Sequence, residues 1–327
     1  MGLRHATGIA GMAELSGITL VDKFDKALEA AKEQIQGTVN GKKFTFFNSK
    51  DFSGDKEPYD VAILASTAQD RLRDLELLRE RGVKHFLIEK PLGQSYEEVI
   101  NLADYFKRHS LDASVNLNMR LYDCFIELKR DLAHLPQLKG AKTITVNTGT
   151  IGIGGNGIHY LDLLYFLLGA DEARLIAGEI DDELIFSPRG EQFNDFGGWC
   201  KINFFSGNSL LGKAILSISS QSSVFGGWEI IAPYGRIRID ELAQKRINTY
   251  RKPDSQLSLH RYAADYMPAD EINISSPFLG DLTKKWLENL LVGKNILPSL
   301  NSSLPVHRLM FDWLEKNPQY NGKFPIT

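Results

Sequence analysis

The chain has 327 residues, 43% of them hydrophobic and 24% charged, the balance of a soluble globular protein with room for two domains. Its 38 basic and 41 acidic residues leave a net charge of −3 with no polybasic block, so neither nucleic acid nor a membrane surface is expected as a partner. The opening MGLRHATGIAGM lacks the apolar run and cleavage site of a secretory signal, and no stretch is apolar enough to span a bilayer, which makes a cytoplasmic location the expectation. Cys124 and Cys200 stand far apart, without a CxxC or a Cys/His cluster, so neither a disulfide framework nor a metal site is expected.

From residue 18 to about 135, short β-branched runs alternate with longer amphipathic ones, the rhythm of βαβ units feeding a parallel sheet. Residues 18–22 predict a strand and 24–35 a helix with Leu28, Ala31 and Ile35 on one face. Residues 61–65 form the near-continuous apolar run of a buried parallel strand. A helix over 71–81 closed by Gly82, a strand over 84–88, a helix over 94–109, a strand over 113–117 and a helix over 121–135 follow. After about residue 140 strands succeed one another, at 141–148, 173–181, 196–205, 209–219, 227–232 and 235–239, which predicts a mainly antiparallel sheet. Helices are expected at 156–168, 279–291 and 304–315, the last with Pro305 in its first turn. The polar segment 251–277 carries three prolines and reads as a long excursion or a subunit arm.

Three places can carry chemistry. Asp22 ends the first strand twenty residues after Gly2, the separation between a dinucleotide-binding glycine turn and the carboxylate that holds a ribose; a strand-ending surface Asp is the plainer alternative. Glu89-Lys90-Pro91 follows strand 84–88 at the carboxyl edge of the parallel sheet, where open α/β sheets bind ligands; solvated charges before a helix-opening proline are the alternative. The proline there admits a cis bond. His159 and Asp162 lie three residues apart after the glycine-rich stretch 154–157 and share the face of a helix beginning near Asn156. Glycines allow close approach to a ligand, and a carboxylate can orient an imidazole for proton transfer; the alternative is a buried His satisfied by Asp162. No G-x-S-x-G, H-E-x-x-H or Walker glycine loop occurs, so acyl transfer, zinc proteolysis and P-loop phosphoryl transfer have no support.

In order and spacing, Gly2-Leu-Arg-His-Ala6, Ala65-Ser-Thr67, Ile88-Glu-Lys-Pro-Leu92, Asn118-Met-Arg120 and Gly157-Ile-His-Tyr-Leu-Asp162 resemble the boxes of the glucose-fructose oxidoreductase and inositol dehydrogenase (Gfo/Idh/MocA) family. The resemblance spans nearly the whole chain. It implies an N-terminal Rossmann-type doubly wound parallel sheet over 1–118 and a C-terminal α+β domain over 119–327. The second domain would carry a large, mostly antiparallel open sheet through which a homodimer or homotetramer forms. It implies NAD bound by Gly2, Leu3, Asp22, Ser66, Thr67, Arg71, Glu89, Lys90 and Asn118. Asp22 would pair with the ribose hydroxyls and repel a 2′-phosphate, favouring NAD over NADP, with Lys23 moderating the preference.

Lys90 and His159 would then be the acid-base pair of a dehydrogenase or reductase acting on a sugar, polyol or sugar derivative, with Asp162 and Asn156 beside them. Arg120, Asn147, Asn156 and Tyr160 would hold the substrate. Two departures stand out. Gly155 replaces the Asp common in the family four residues before the histidine, leaving Asn156 as the nearest polar group. The family's first strand and most of its glycine turn are missing ahead of Gly2, so the expectation is a misplaced or truncated start lacking roughly ten to fifteen residues. These departures keep a second reading open, a catalytically idle nucleotide-binding sensor or scaffold of the same fold; a third is an enzyme with tightly held cofactor that shuttles hydride between two substrates.

Overall fold

The computed structural model describes residues 1–36, 43–69, 71–187, 190, 192–224, 226–252, 265–320 and 322–327. In chain order the elements are α1 (Gly2–Ile9), β1 (Gly17–Asp22), α2 (Asp25–Gln36), β2 (Lys43–Asn48), α3 (Ser49–Phe52), β3 (Val61–Leu64), α4 (Arg71–Glu80), β4 (His85–Ile88), α5 (Tyr96–Arg108) and β5 (Asp112–Val115). Then come α6 (Asp123–His134), β6 (Lys142–Thr148), α7 (Ile158–Leu168), β7 (Glu172–Phe186), β8 (Asn194–Ser206), β9 (Ser209–Ile218), β10 (Gly227–Ala232), β11 (Gly235–Asp240), β12 (Lys245–Tyr250), β13 (Asp270–Asn273), α8 (Leu279–Leu291) and α9 (Leu300–Leu314). Among the described residues, no helix is long and apolar enough to cross a membrane.

The chain forms two compact units. The first comprises Met1–Glu89, Asn101–Asn116 and Pro277–Asn301; the second comprises Lys90–Ile100, Leu117–Ser276 and Ser302–Thr327. The boundary read from the sequence at residue 118 lies beside the crossing after Asn116, while 277–301 returns to the first unit.

The first unit is a Rossmann-like α/β arrangement. Its parallel strands form two sheets, β1–β2 and β3–β4–β5. The apolar run of β4 explains its central place: Phe86, Leu87 and Ile88 are all buried, and Phe86 meets Phe106 of α5 edge-on at 5.2 Å. Helices α1 and α8 cross at two glycines. A Cβ on Gly8 would lie 2.2 Å from the carbonyl oxygen of Gly280, so only hydrogen allows the two backbones this approach. Trp286 of α8 donates to the Ser114 hydroxyl of β5 at 3.0 Å, and the amide of Val115 donates to the Pro298 carbonyl, which ties 277–301 to this sheet.

The second unit holds an eight-stranded mixed sheet in the order β13-β12-β11-β10-β6-β9-β8-β7. All neighbours are antiparallel except β6 and β9. Alternation sets the faces: on β6, Ile144, Val146 and Thr148 are buried while Thr143 and Asn147 are exposed. Helix α7 is buried almost all round, and Trp313 of α9 donates to the Glu179 carbonyl of β7 at 3.2 Å.

Several sequence expectations shift. Strands β2, β12 and β13 were not expected, and β12 and β13 carry no clear apolar alternation in the sequence. In β12 the inward positions are Arg246, Asn248 and Tyr250, because Arg246 pairs with Asp131 of α6 at 2.6 Å and with the Asn248 side chain at 2.9 Å. Helix α9 starts at Leu300, so Pro305 lies inside it rather than in its first turn. The helix read over 121–135 is α6, which starts at Asp123 after a 3₁₀ turn, Asn118–Leu121. Of the suggested excursion 251–277, residues 253–264 lie outside the described residues, and Asp270–Asn273 pairs with β12 as the edge strand β13.

Candidate active site

Lys90 leaves the end of β4 on a loop whose Lys90-Pro91 peptide is cis. The loop is fastened at both ends. Before it, the fully buried Glu89 accepts from the His5 ring at 2.9 Å and from the Asn116 side chain at 2.7 Å. The other nitrogen of His5 lies 2.7 Å from the Thr283 hydroxyl, whose own proton goes to the Leu279 carbonyl at 2.8 Å. The ring therefore bridges Glu89 and Thr283. After the loop, the Leu92 amide donates to Nε2 of the buried His307 at 3.2 Å, while Nδ1 of that ring faces the Ser303 carbonyl at 2.9 Å; His307 is thus held as the neutral tautomer.

Lys90 is itself buried, and its ammonium donates to the carbonyl of Gly155. Gly155 belongs to Gly152–Gly157, a π-helical turn that runs straight into α7 and carries His159 on its second residue. The local sequence explains the turn. Gly152 has φ +69°, a Cβ on Gly154 would meet Ile326 at 2.8 Å, and one on Gly157 would meet Ile218 at 2.6 Å. Close packing against the C-terminal tail and β9 thus accounts for these glycines, whereas the sequence reading assigned the closeness to a ligand.

Asp195, at the second position of β8, was not singled out from the sequence. Its buried carboxylate accepts backbone N–H bonds from Gly154 (3.0 Å), Gly155 (2.6 Å) and Phe196 (2.8 Å). Burial pushes its carboxyl above the ordinary carboxylate range; the three amides and the charge of Lys90 act in the opposite direction. Nothing local in Asn194-Asp-Phe-Gly197 marks it, because the two glycine amides it holds lie some forty residues away.

Asp162 is 1% exposed and takes a bidentate pair from Arg120, with Nε–Oδ2 at 2.9 Å and a second contact between the terminal nitrogen and Oδ1. The sequence reading set Asp162 toward His159 and Arg120 toward substrate; the fork geometry joins the two to each other instead. Burial raises the Asp162 carboxyl, against the lowering effect of Arg120. Tyr160, also expected at the substrate, stacks on Trp228 at 5.6 Å and donates its hydroxyl to Glu241 at 2.6 Å. Trp228 Nε1 donates to the same carboxylate at 2.6 Å, and burial raises the Glu241 carboxyl. His159 is buried, Asn156 is exposed on the turn, and Asn147 is exposed on β6.

In the first unit, Gly2 opens α1 beside Ala65, 3.6 Å from where its Cβ would lie. Asp22 ends β1 and accepts from the Phe24 amide at 2.9 Å with one oxygen; Lys23 lies over the Phe24 ring. Ser66 and Thr67 follow β3. The buried Arg71 donates to the Ser66 carbonyl at 3.2 Å, whereas the Ser66 hydroxyl is buried without a partner among the described residues. Leu3 lies in α1, and Asn118 opens the 3₁₀ turn that bears Arg120. Among the described residues no cluster of three or more His, Cys, Asp or Glu side chains could hold a metal ion.

Solved structures share this fold at low identity. An oxidoreductase from Agrobacterium radiobacter in complex with NAD+, L-tartaric acid and magnesium is 14% identical, with a TM-score of 0.70 over 96% of this chain and 92% of that one. Aldose-aldose oxidoreductase from Caulobacter crescentus complexed with glycerol is 16% identical, with a TM-score of 0.65 over 92% and 89%. The super-repressor mutant of Gal80p from Saccharomyces cerevisiae is 11% identical, with a TM-score of 0.68 over 96% and 92%. At these identities the likeness is one of fold. No family model and no curated protein sequence matches the chain. The fold is therefore a parallel Rossmann-like sheet together with a large mixed sheet, shared with solved structures that include an NAD-binding oxidoreductase from Klebsiella pneumoniae.

Proposed function

We propose that the protein is an NAD-dependent oxidoreductase acting on a secondary hydroxyl or ketone of a sugar, polyol or sugar derivative, with Lys90 and His159 as its acid-base pair. One observation carries the reading: the buried Lys90 ammonium is seated on the Gly155 carbonyl, in the turn that delivers His159. A buried ammonium beside an imidazole-bearing helix start suits a reacting oxygen, since Lys90 can donate to it and His159 can take or return its proton. Two of the structurally similar proteins are described as oxidoreductases, one in complex with NAD+ and L-tartaric acid and the other with glycerol, which favours a polar, hydroxylated substrate.

The first unit fits a dinucleotide. Asp22 ends β1 with Oδ1 accepting from Phe24 and its carboxylate is of the type that holds ribose hydroxyls, Ser66 offers a buried hydroxyl, and Gly2 opens α1 beside Ala65. When bound, the nicotinamide accepts or donates the hydride. Fluorescence titration with NADH and NADPH, followed by turnover with polyols and aldoses, tests the reading. NADH is expected to bind more tightly than NADPH, and Lys90→Ala to abolish turnover. Absence of binding to either nucleotide refutes it.

A non-catalytic nucleotide-binding sensor is the second reading. It is favoured by Arg120 and Tyr160, two polar side chains expected at a substrate that are spent on Asp162 and Glu241. NADH binding without turnover of any polyol or aldose, unchanged by Lys90→Ala, would select it. The exposed face of the mixed sheet carries Trp199, Ile215 and Ile231, and we assign it to association of copies into a homodimer or homotetramer. Light scattering that reports a monomer opposes this assignment.

A further inference from the structure

The geometry points to Asp195 as the positioning residue of Lys90: from β8 it fixes the Gly154–Gly155 peptide groups so that the Gly155 carbonyl receives the ammonium, and it supplies the negative charge that the ammonium needs in a buried place. Three observations support this. Asp195 accepts the N–H groups of both Gly154 and Gly155, at 3.0 and 2.6 Å. The next peptide group, whose carbonyl Lys90 uses, is fixed from its other end, because the Asn156 amide donates to the Ile151 carbonyl at 3.1 Å. Both peptide groups flanking Gly155 are thus held, one by a carboxylate and one by a helical bond. The space beside Asp195 is also kept free of side chains: a Cβ on Gly152 would lie 2.2 Å from its Oδ2, and one on Gly155 3.1 Å.

A buried cation is costly unless a countercharge is near. Asp195, which holds the Gly154 and Gly155 amides from β8, adds a negative charge that Lys90 senses. Each charge in turn favours the other, since Lys90 opposes the rise that burial imposes on the Asp195 carboxyl. The catalytic meaning of the arrangement rests on the role proposed for Lys90 above; the arrangement itself does not, so the test avoids turnover.

Gly-Asn occurs twice in the sequence, at Gly155-Asn156 and Gly207-Asn208. Labelling with carbonyl-13C glycine and 15N asparagine therefore gives two carbonyl-correlated amide signals, one reporting the Gly155 carbonyl and the other an internal reference. Lys90→Met is expected to move the Gly155 carbonyl upfield by several line widths and leave Gly207 unmoved. Asp195→Asn, whose amide nitrogen faces an N–H that the carboxylate accepted, is expected to do the same in the Lys90 protein and to add little in the Met background.

An equal shift from Asp195→Asn in both backgrounds means a purely structural role and overturns the proposal, as does no shift in either. If Asp195→Asn fails to fold, 15N-glycine spectra of Lys90→Met decide. Loss of the cation must move the Gly154 and Gly155 amide protons that Asp195 holds, and unmoved signals overturn the coupling. Loss of nucleotide binding or turnover in the wild-type protein would refute the proposed function while leaving these shifts intact.

Discussion

Arg120→Met should be among the most damaging single changes in the second unit. It removes the fork that faces Asp162, a carboxylate 1% exposed on a helix buried almost all round, and leaves that charge without its bidentate partner. Breaking a buried pair from one side costs about 3–5 kcal/mol, which corresponds to a fall of roughly 6–20 °C in the midpoint of a unit this size. The guanidinium also covers the Phe166 ring at 5.2 Å, and losing that contact adds about 0.5–1 kcal/mol.

The pH dependence has a definite sign. Burial already places the folded Asp162 carboxyl above its unfolded value, and removing Arg120 raises it further. A raised carboxyl favours the folded state as it takes up a proton, so the deficit is largest above the folded value and shrinks as pH falls through it. Calorimetry of Arg120→Met at pH 8 and pH 5 measures this. The double change Arg120→Met with Asp162→Leu should recover most of the loss, because an apolar pair of similar volume carries no desolvation cost. A deficit below about 1 kcal/mol, or one equal at both pH values, would refute the reasoning.

Glu241 should behave as a buried acceptor more than as a charge. Glu241→Leu leaves the Tyr160 hydroxyl and the Trp228 indole without their acceptor and should cost about 2–4 kcal/mol in urea unfolding, whereas Glu241→Gln should cost under about 1.5. Because burial raises this carboxyl, the wild type should gain stability relative to the Gln variant as pH falls through the folded value, and the opposite slope would contradict the assignment. Both thiols should resist Ellman's reagent in the native protein at pH 8, since burial pushes Cys124 up to about 11 and Cys200 upward as well; one equivalent released within minutes would show an exposed thiol. Gly8→Ala should destabilise the first unit by about 1–3 kcal/mol or more by forcing α1 from α8, while Gly11→Ala, with nothing within 4 Å of its Cβ position, should stay within about 0.5 kcal/mol in the same thermal melts.

Local pattern was enough for the elements that bury one continuous apolar surface. The runs of β3 and β4, the amphipathic α5 and the alternating β6 to β11 are legible because burial there follows a period of two or of 3.6. The Glu89-Lys90-Pro91 box and the His159 helix were likewise visible as residues at a sheet edge and a helix start. Their partners were not. Arg246 points inward on β12 because Asp131, 115 residues away, receives it, and a polar inward face hides a strand from any reading of hydrophobic period. Asp195 meets the glycine turn across forty residues, His5 meets Glu89 across 84, and Arg120 takes Asp162 across 42. A buried polar group must find its complement wherever the chain brings one, and that choice is made by tertiary packing, not by neighbours in sequence. The sequence by itself therefore determined the two layers of structure and where the chemistry-bearing residues lie along them. Only the folded chain decided which of those residues face one another and which are spent on holding the others in place.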